Sequence, residues 1–313
     1  MSKKIAFVFP GQGSQSVGML DSFADHAAVQ STLAEASDTL GEDIGQLIQT
    51  GPAESLSLTT NTQPVMLTAG VACYRAWLAA GGPVPAVMAG HSLGEYSALV
   101  AAGSLSFKDA VPMVRFRAQA MQEAVPVGTG GMAAILGLDD PTVLQVCLDA
   151  QVASGEIVEA VNFNAPAQVV IAGSKAGVEK ACELAKAAGA KRALILPVSA
   201  PFHSSLLKPA SEKLGQYLAD KGFEVPHVDV INNVDVVINR DPAMIKDALV
   251  RQAAAPVRWV ETIQAMSKMG ITHVVECGPG KVLTGLTKRI DSGLVGLAIT
   301  SPDSIAEVIA QLA

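Results

Sequence analysis

Aromatic residues are scarce in this chain: eight Phe, three Tyr and two Trp make up 4% of 313 residues. A core so poor in rings must be filled by Ala, Val, Leu and Gly, the side chains of close helix-on-sheet packing in α/β proteins. Basic charge is short as well. Lys and Arg number 22 against 29 Asp and Glu, for a net charge of −7 and a pI near 5.3. That balance excludes a general nucleic-acid binder while leaving room for a local basic patch. The four cysteines, Cys73, Cys147, Cys182 and Cys277, lie far apart, with no Cys-x-x-Cys and no metal-like pairing with histidine. They read as buried thiols of a protein in a reducing cytoplasm. None of the five histidines forms His-Glu-x-x-His, so no metal site is expected. No apolar run approaches the length of a membrane span. Lys3-Lys4 followed by Ile5–Phe9 imitates a signal peptide for a few residues only, then runs into Gly11-Gln12-Gly13. That segment is read as a first strand.

Half of the residues are hydrophobic, enough for a sizeable core. The length suits one large domain, or a large domain carrying a smaller one. The most informative stretch runs from Val84 to Ala102. Residues 86–89 form a short apolar run that fits a buried strand. Gly90-His91-Ser92-Leu93-Gly94 breaks it, and Tyr96, Leu99 and Val100 then recur at helical spacing. A serine at a strand–turn–helix apex, with glycine two positions to either side, is the pattern of a nucleophile elbow. So sharp a turn needs small neighbours to leave the hydroxyl bare. The helix after it aims backbone N–H groups at developing negative charge. An ordinary glycine-rich strand–helix turn would read the same way on this stretch alone.

Upstream, the first strand ends at Pro10 in the loop Gly11-Gln-Gly-Ser-Gln-Ser-Val-Gly18. Its spacing matches neither a dinucleotide fingerprint nor a phosphate loop. Such a loop can instead bring a bare backbone N–H close to a reacting group. Helical periodicity covers 23–40 and 65–78, with a turn-rich polar stretch, 50–62, between them. Ser106-Phe-Lys-Asp109 predicts a capped helix to about Glu123, which Pro112 either kinks or truly begins. On it Ala110, Met113, Val114, Arg117, Met121 and Ala124 share one face, while Arg115 falls with Gln119 and Gln122. Arg117 therefore sits on the apolar stripe, where an unpaired guanidinium is costly. Its partner is either an internal Asp or Glu, or a carboxylate brought by a substrate and gripped bidentately.

Gly128-Thr-Gly-Gly131 reads as a linker. Beyond it come strand 132–136, helix 141–153, strand 157–162, turn 164–166, strand 168–172, helix 175–188 and strand 192–197. This β-α-β-β-α-β order predicts a ferredoxin-like unit, residues 128–198, inserted in a larger α/β domain made of 1–127 and 199–313. The chain re-enters the large domain at Ser199-Ala-Pro-Phe-His203-Ser. Helices are expected over 206–219, 243–251, 257–269 and 282–290, and strands over 228–232 and 273–276. Gly278-Pro-Gly280-Lys281 is a tight turn without the second glycine and hydroxyl of a phosphate loop.

Together these segments resemble one family, the malonyl-CoA:acyl-carrier-protein transacylases. The motifs are Phe-Pro-Gly-Gln-Gly-Ser-Gln near the N-terminus, Gly-His-Ser-Leu-Gly-Glu at the elbow, and an arginine about 25 residues later. Asn-Phe-Asn-Ala-Pro, Pro-Phe-His-Ser, Val-Arg-Gln and Gly-Pro-Gly-Lys follow in order. The resemblance spans essentially the whole chain. It implies an α/β-hydrolase-like core with a parallel sheet, an inserted ferredoxin-like subdomain, and an active site in the groove between them.

It also implies roles. Ser92 resembles the nucleophile, and His203 the general base and then acid. Gln252 resembles the residue whose backbone carbonyl orients the histidine, in place of an aspartate. Gln12 and Leu93 resemble the positions whose N–H groups form the oxyanion hole. Arg117 resembles the residue that grips the malonyl carboxylate, which resolves the alternative left above. Asn162, Phe202 and His91 match further active-site positions, Phe202 as the bulky aromatic of malonyl-type members. The substrates implied are malonyl-CoA and acyl carrier protein, with no cofactor, metal, nucleic acid or membrane, in a cytoplasmic monomer. The carrier is acidic like this chain, so docking is expected on a basic patch such as Lys288 and Arg289, or Lys191 and Arg192.

Two other classes compete. A serine hydrolase or thioesterase shares Gly-x-Ser-x-Gly but takes its histidine last. That would make His273 the base, after Asp229, Asp235 or Asp247. A non-catalytic module would use the Gln12 loop to cradle a nucleotide. His26, His227 and His273 otherwise read as surface or core histidines.

Overall fold

The computed structural model of the chain describes residues 3–198 and 200–313; Ser199, the expected re-entry point, lies outside them. Strand β1 (Ile5–Phe9) is followed by helices α1 (Ala27–Leu40), α2 (Ile44–Thr50), α3 (Ala53–Ser57) and α4 (Thr59–Ala79). Then come β2 (Val87–Gly90), α5 (Gly94–Ala101) and α6 (Phe107–Glu123). The next stretch is β3 (Gly130–Leu136), α7 (Asp140–Ser154), β4 (Val158–Ala165), β5 (Gln168–Ser174), α8 (Lys175–Ala187) and β6 (Arg192–Ile195). The chain finishes with α9 (Lys208–Leu218), β7 (Asp229–Ile231), α10 (Pro242–Gln252), α11 (Trp259–Lys268), β8 (His273–Cys277), α12 (Val282–Ile290), β9 (Val295–Ile299) and α13 (Pro302–Leu312).

The strands form two sheets. One is parallel, in the order β7-β2-β1-β8-β9. Every residue of its central strand β1 is buried, as expected of a strand covered on both faces. The period-2 alternation divides the core accordingly. Ile5, Phe7 and Phe9 pack with α4, where Phe7 meets Trp77 and Tyr74 edge-on at 5.1 and 5.8 Å. Ala6 and Val8 face the other way, onto Trp259, Ile263 and Leu283. Both tryptophans thus pack around the central strand, one on each face.

The second sheet is antiparallel, in the order β4-β5-β3-β6. Its Ala133, Ile135, Val169 and Ile171 form a separate core with α7 and α8. Met132, Val161, Val170 and Ala172 join the main core instead. The sheet is therefore covered by its own helices on one face and by the rest of the molecule on the other.

Two stretches differ from the sequence expectation, and a third settles an alternative left open. Residues 50–62 are not a turn-rich loop, because α3 occupies part of them and α4 begins at Thr59. Pro64 lies inside α4 rather than ahead of it. Side chains secure the entry: Thr62 Oγ1 donates to the Leu56 and Leu58 carbonyls at 2.6 and 3.0 Å, and Asn61 Nδ2 to the Ser55 carbonyl at 2.9 Å. These bonds tie the first turn of α4 to the end of α3. Pro112 likewise lies inside α6, which Ser106 caps by accepting the Asp109 N–H at 3.1 Å. Finally, β9 and α13 add an edge strand and a last helix beyond residue 290.

Candidate active site

Parallel register brings the carboxyl ends of three strands together, with Phe9 opposite Gly90 and Ile231 opposite Ala89. Loops at that edge of an open parallel sheet are the usual place for a ligand. They carry Gln12 after β1, Ser92 after β2 and Asn233 after β7.

The turn at Ser92 is as sharp as its glycines predict. A Cβ on Gly90 would lie 1.8 Å from the Gly94 carbonyl carbon, and one on Gly94 would lie 2.0 Å from the Phe9 oxygen. Only bare backbone fits there. Ser92 itself sits at φ 52°, in the left-handed region that a non-glycine residue rarely occupies. Its Oγ lies 2.7 Å from Nε2 of His203, and Nδ1 of that ring lies 2.9 Å from the Gln252 carbonyl oxygen. A carbonyl only accepts, so Nδ1 carries the proton and Nε2 is free to accept from Ser92. His203 also has a positive φ, 67°, and is 4% exposed. Burial first, then the charge of Arg117, pushes its pKa down to about 3. The ring is therefore neutral at physiological pH.

Arg117 is 2% exposed, and among the described residues no carboxylate bonds it directly. Its Nη1 donates to Gln63 Oε1 at 2.8 Å, and its Nη2 to Gln252 Oε1 at 2.9 Å and to Ser92 Oγ at 3.2 Å. The Tyr96 ring lies 5.5 Å from the guanidinium carbon. Gln252, fully buried, joins the parts: its Nε2 donates to the Ser92 carbonyl at 3.0 Å and to Glu95 Oε2 at 2.8 Å. Burial raises the Glu95 pKa to about 7 against the pull of these donors.

The Gln12 loop is pressed against the elbow, since a Cβ on Gly11 would fall 2.5 Å from the His91 oxygen. Among the described residues, neither the Gln12 nor the Leu93 backbone N–H has a protein acceptor. A backbone N–H without an internal acceptor is the kind of donor an oxyanion needs. His91 turns to the antiparallel sheet, with Nε2 2.7 Å from Asn164 Oδ1 and its ring 5.4 Å from that of Trp259. Asn162 is buried on β4, and its backbone bridges to Val257. Among the described residues its side chain is not one of the hydrogen-bond partners of Ser92. Phe202 is buried beside His203 in the chain. Gln63, Glu95 and Asn233 belong to this network without having been singled out from the sequence.

The competing histidine lies elsewhere. His273 pairs with Ile5 at the amino end of the parallel sheet, opposite to the end that carries Ser92, and bonds Thr272 Oγ1 at 2.8 Å. Asp229 is paired with Arg240, and Asp235 and Asp247 with Arg251. No acid–histidine pair forms among them.

Known proteins resemble the chain over its whole length. A family model described as acyl transferase domain matches residues 6–294. The malonyl CoA-acyl carrier protein transacylase of Escherichia coli (strain K12) is 55% identical over 307 residues, covering 98% of this chain and 99% of its own. The crystal structure of an acyl-carrier-protein S-malonyltransferase from Burkholderia pseudomallei superposes with a TM-score of 0.97 at 69% identity, over 98% of this chain and 99% of that one. A malonyl-transacylase solved in complex with its type II PKS acyl-carrier protein gives a TM-score of 0.97 at 49% identity, over 99% and 100% of the two chains.

Proposed function

The chain belongs to the acyl transferase family, among the malonyl-CoA:acyl-carrier-protein transacylases, and we propose that it works by a ping-pong mechanism through a malonyl ester on Ser92. It is an acyltransferase that moves the malonyl group from malonyl-CoA to the phosphopantetheine thiol of acyl carrier protein. The observation that carries the mechanism is the line of contacts from Gln252 O through His203 to Ser92 Oγ, with Arg117 alongside.

In the first half-reaction His203 Nε2 takes the Ser92 proton as Oγ attacks the thioester carbonyl. The Leu93 and Gln12 N–H groups receive the oxyanion. Collapse breaks the C–S bond, and His203 returns the proton to the departing CoA sulfur. The second half runs in reverse, with the carrier thiol as nucleophile and Ser92 as leaving group. Thioester is exchanged for thioester, so no external energy source is needed. What the site must do is keep water from the ester. Arg117 receives the malonyl carboxylate, and pairing with that anion relieves the charge that holds down the basicity of His203.

The same reading assigns the parallel sheet and its elbow to an α/β-hydrolase-like core made of residues 1–127 and 199–313. Residues 128–198, with strand order β4-β5-β3-β6, form a ferredoxin-like insertion. Support comes from the separate core of that unit. Four free, buried cysteines support a cytoplasmic setting. Of the basic residues considered for docking, Arg289 holds the Pro166 carbonyl at 3.2 Å and the Gln168 side chain, at the turn between β4 and β5.

Incubating the protein with malonyl-CoA and weighing it intact tests the mechanism. One malonyl increment, absent from Ser92→Ala, is expected. Free malonate without a trapped ester would indicate a hydrolase, and no change at all a binding module. Phe202 supplies a selectivity test. A crowded pocket rejects one extra methyl by about 1–3 kcal/mol. Wild type should therefore prefer malonyl- over methylmalonyl-CoA, and Phe202→Ser should narrow the gap in kcat/KM. Equal values for the two substrates in the wild type would remove Phe202 from this role.

A further inference from the structure

One fully buried side chain touches the nucleophile turn yet has no part in the proton path: Asn233, in the loop after β7. With φ at 52°, Ser92 points its own N–H away from the helix that follows, and that donor needs a partner. Asn233 Oδ1 accepts it at 2.7 Å, while Nδ2 donates to the Gly90 carbonyl at 2.7 Å. The two bonds clasp the turn from the residue before His91 to Ser92. Asn233 is seated in turn by its backbone, whose N–H ends on Glu95 Oε2 at 3.0 Å and whose carbonyl accepts the Arg258 N–H at 3.3 Å. Glu95 Oε2 also receives Gln252 Nε2, so one carboxylate aligns this clasp with the residue that holds His203.

We propose that Asn233 is a positioning residue for acyl transfer: its amide holds Ser92 in the left-handed backbone that aims Oγ at His203 and leaves the Leu93 N–H free for the oxyanion. This rests on Ser92 being the nucleophile. The geometry calls for a donor and an acceptor side by side on a short, neutral side chain, which asparagine supplies.

Replacement by aspartate gives a test that bulk packing would not mimic. A protonated Asp at 233 copies the amide, donating through its O–H to Gly90 and accepting from Ser92. The ionised form has no donor and sets negative charge against the Gly90 oxygen. Of the charged residues nearby, Glu95 from α5 and Arg258 bond its backbone, and Arg117 from α6 and Asp235, itself paired with Arg251, act on the Glu95 carboxylate. Burial beside Glu95 favours the neutral form. Malonylation of Asn233→Asp, followed by intact mass, should therefore speed up as pH falls from about 8 to about 5.5, while the wild type does not. Asn233→Ala should slow the same step about 100-fold, the cost of a misplaced reacting atom, with KM for malonyl-CoA unchanged. The Ala variant carries the test if the Asp variant does not fold. A wild-type rate in Asn233→Ala, or an Asn233→Asp profile parallel to the wild type's, overturns the proposal. Failure of the wild type to acquire malonyl would instead overturn the role of Ser92.

Discussion

Replacing Arg117 with alanine is expected to abolish most malonyl transfer while leaving acetyl transfer intact or faster. The guanidinium is buried and its nearest acceptors are neutral: the side-chain oxygens of Gln63 and Gln252 and the hydroxyl of Ser92. Its Nε has no partner at all among the described residues. Glu95 is reached only across the Gln252 amide. A buried cation so incompletely paired, with one N–H group 3.2 Å from the nucleophile, is prepared for an anion that arrives with the acyl group. Truncating one side of such a pair costs about 2–5 kcal/mol, or roughly 30- to 5,000-fold in malonyl kcat/KM. Acetyl carries no charge, so it loses nothing. It also gains from a more basic His203 once the neighbouring cation is gone. Arg117→Lys should recover little, because a point charge does not reproduce the bidentate fork. Malonyl and acetyl kinetics on the folded Arg117→Ala protein decide the matter. An equal loss for both acyl groups, with a lower melting temperature, would make Arg117 a structural residue.

Parts of this site were legible in the sequence because their causes are local. A turn with no room for a Cβ at Gly90 or Gly94 declares itself as glycine two positions either side of Ser92. Arg117 declares itself by falling on the apolar stripe of α6. The sequence also posed the question of its partner, and among the described residues no carboxylate bonds the guanidinium directly. The oxyanion donors, Gln252 and the base came from resemblance rather than from periodicity or spacing. Gln63, Glu95 and Asn233 were not legible at all. Each is a buried polar residue whose partner lies far along the chain, 138 positions away for Asn233 and Glu95 and 54 for Gln63 and Arg117. Nothing in their neighbours announces such a bond. Gln63 also fell outside the helix expected over 65–78, whereas α4 begins at Thr59.

The largest loss of all should follow His203→Ala, with His273→Ala close to wild type. Of the two histidines only His203 touches Ser92, at 2.7 Å, and its ring is fixed in the accepting tautomer by a carbonyl on the opposite nitrogen. His273 lies at the far end of the sheet. General base catalysis contributes about 10²–10⁴-fold, and loss of the base disables a nucleophile that acts with it as one unit. Acyl-enzyme formation in His203→Ala should therefore fall by about that factor or more. The pH dependence identifies the group independently. With its pKa depressed to about 3, His203 stays neutral far below the usual imidazole range. The kcat/KM for malonyl-CoA, which reports the free enzyme, should thus show no acid limb near pH 6.5 from this ring. Stability follows the same sign. Between about 3 and 6.5 the unfolded imidazole binds a proton that the folded one does not. The contribution is therefore complete above pH 6.5 and is lost as pH falls toward 3, at up to about 1.4 kcal/mol per pH unit. His203→Ala should flatten that part of the pH–stability curve as it removes the activity. An equal loss of acylation in His273→Ala, or an acid limb near pH 6.5 that disappears with His203, would show that the ring does not act as the buried neutral base.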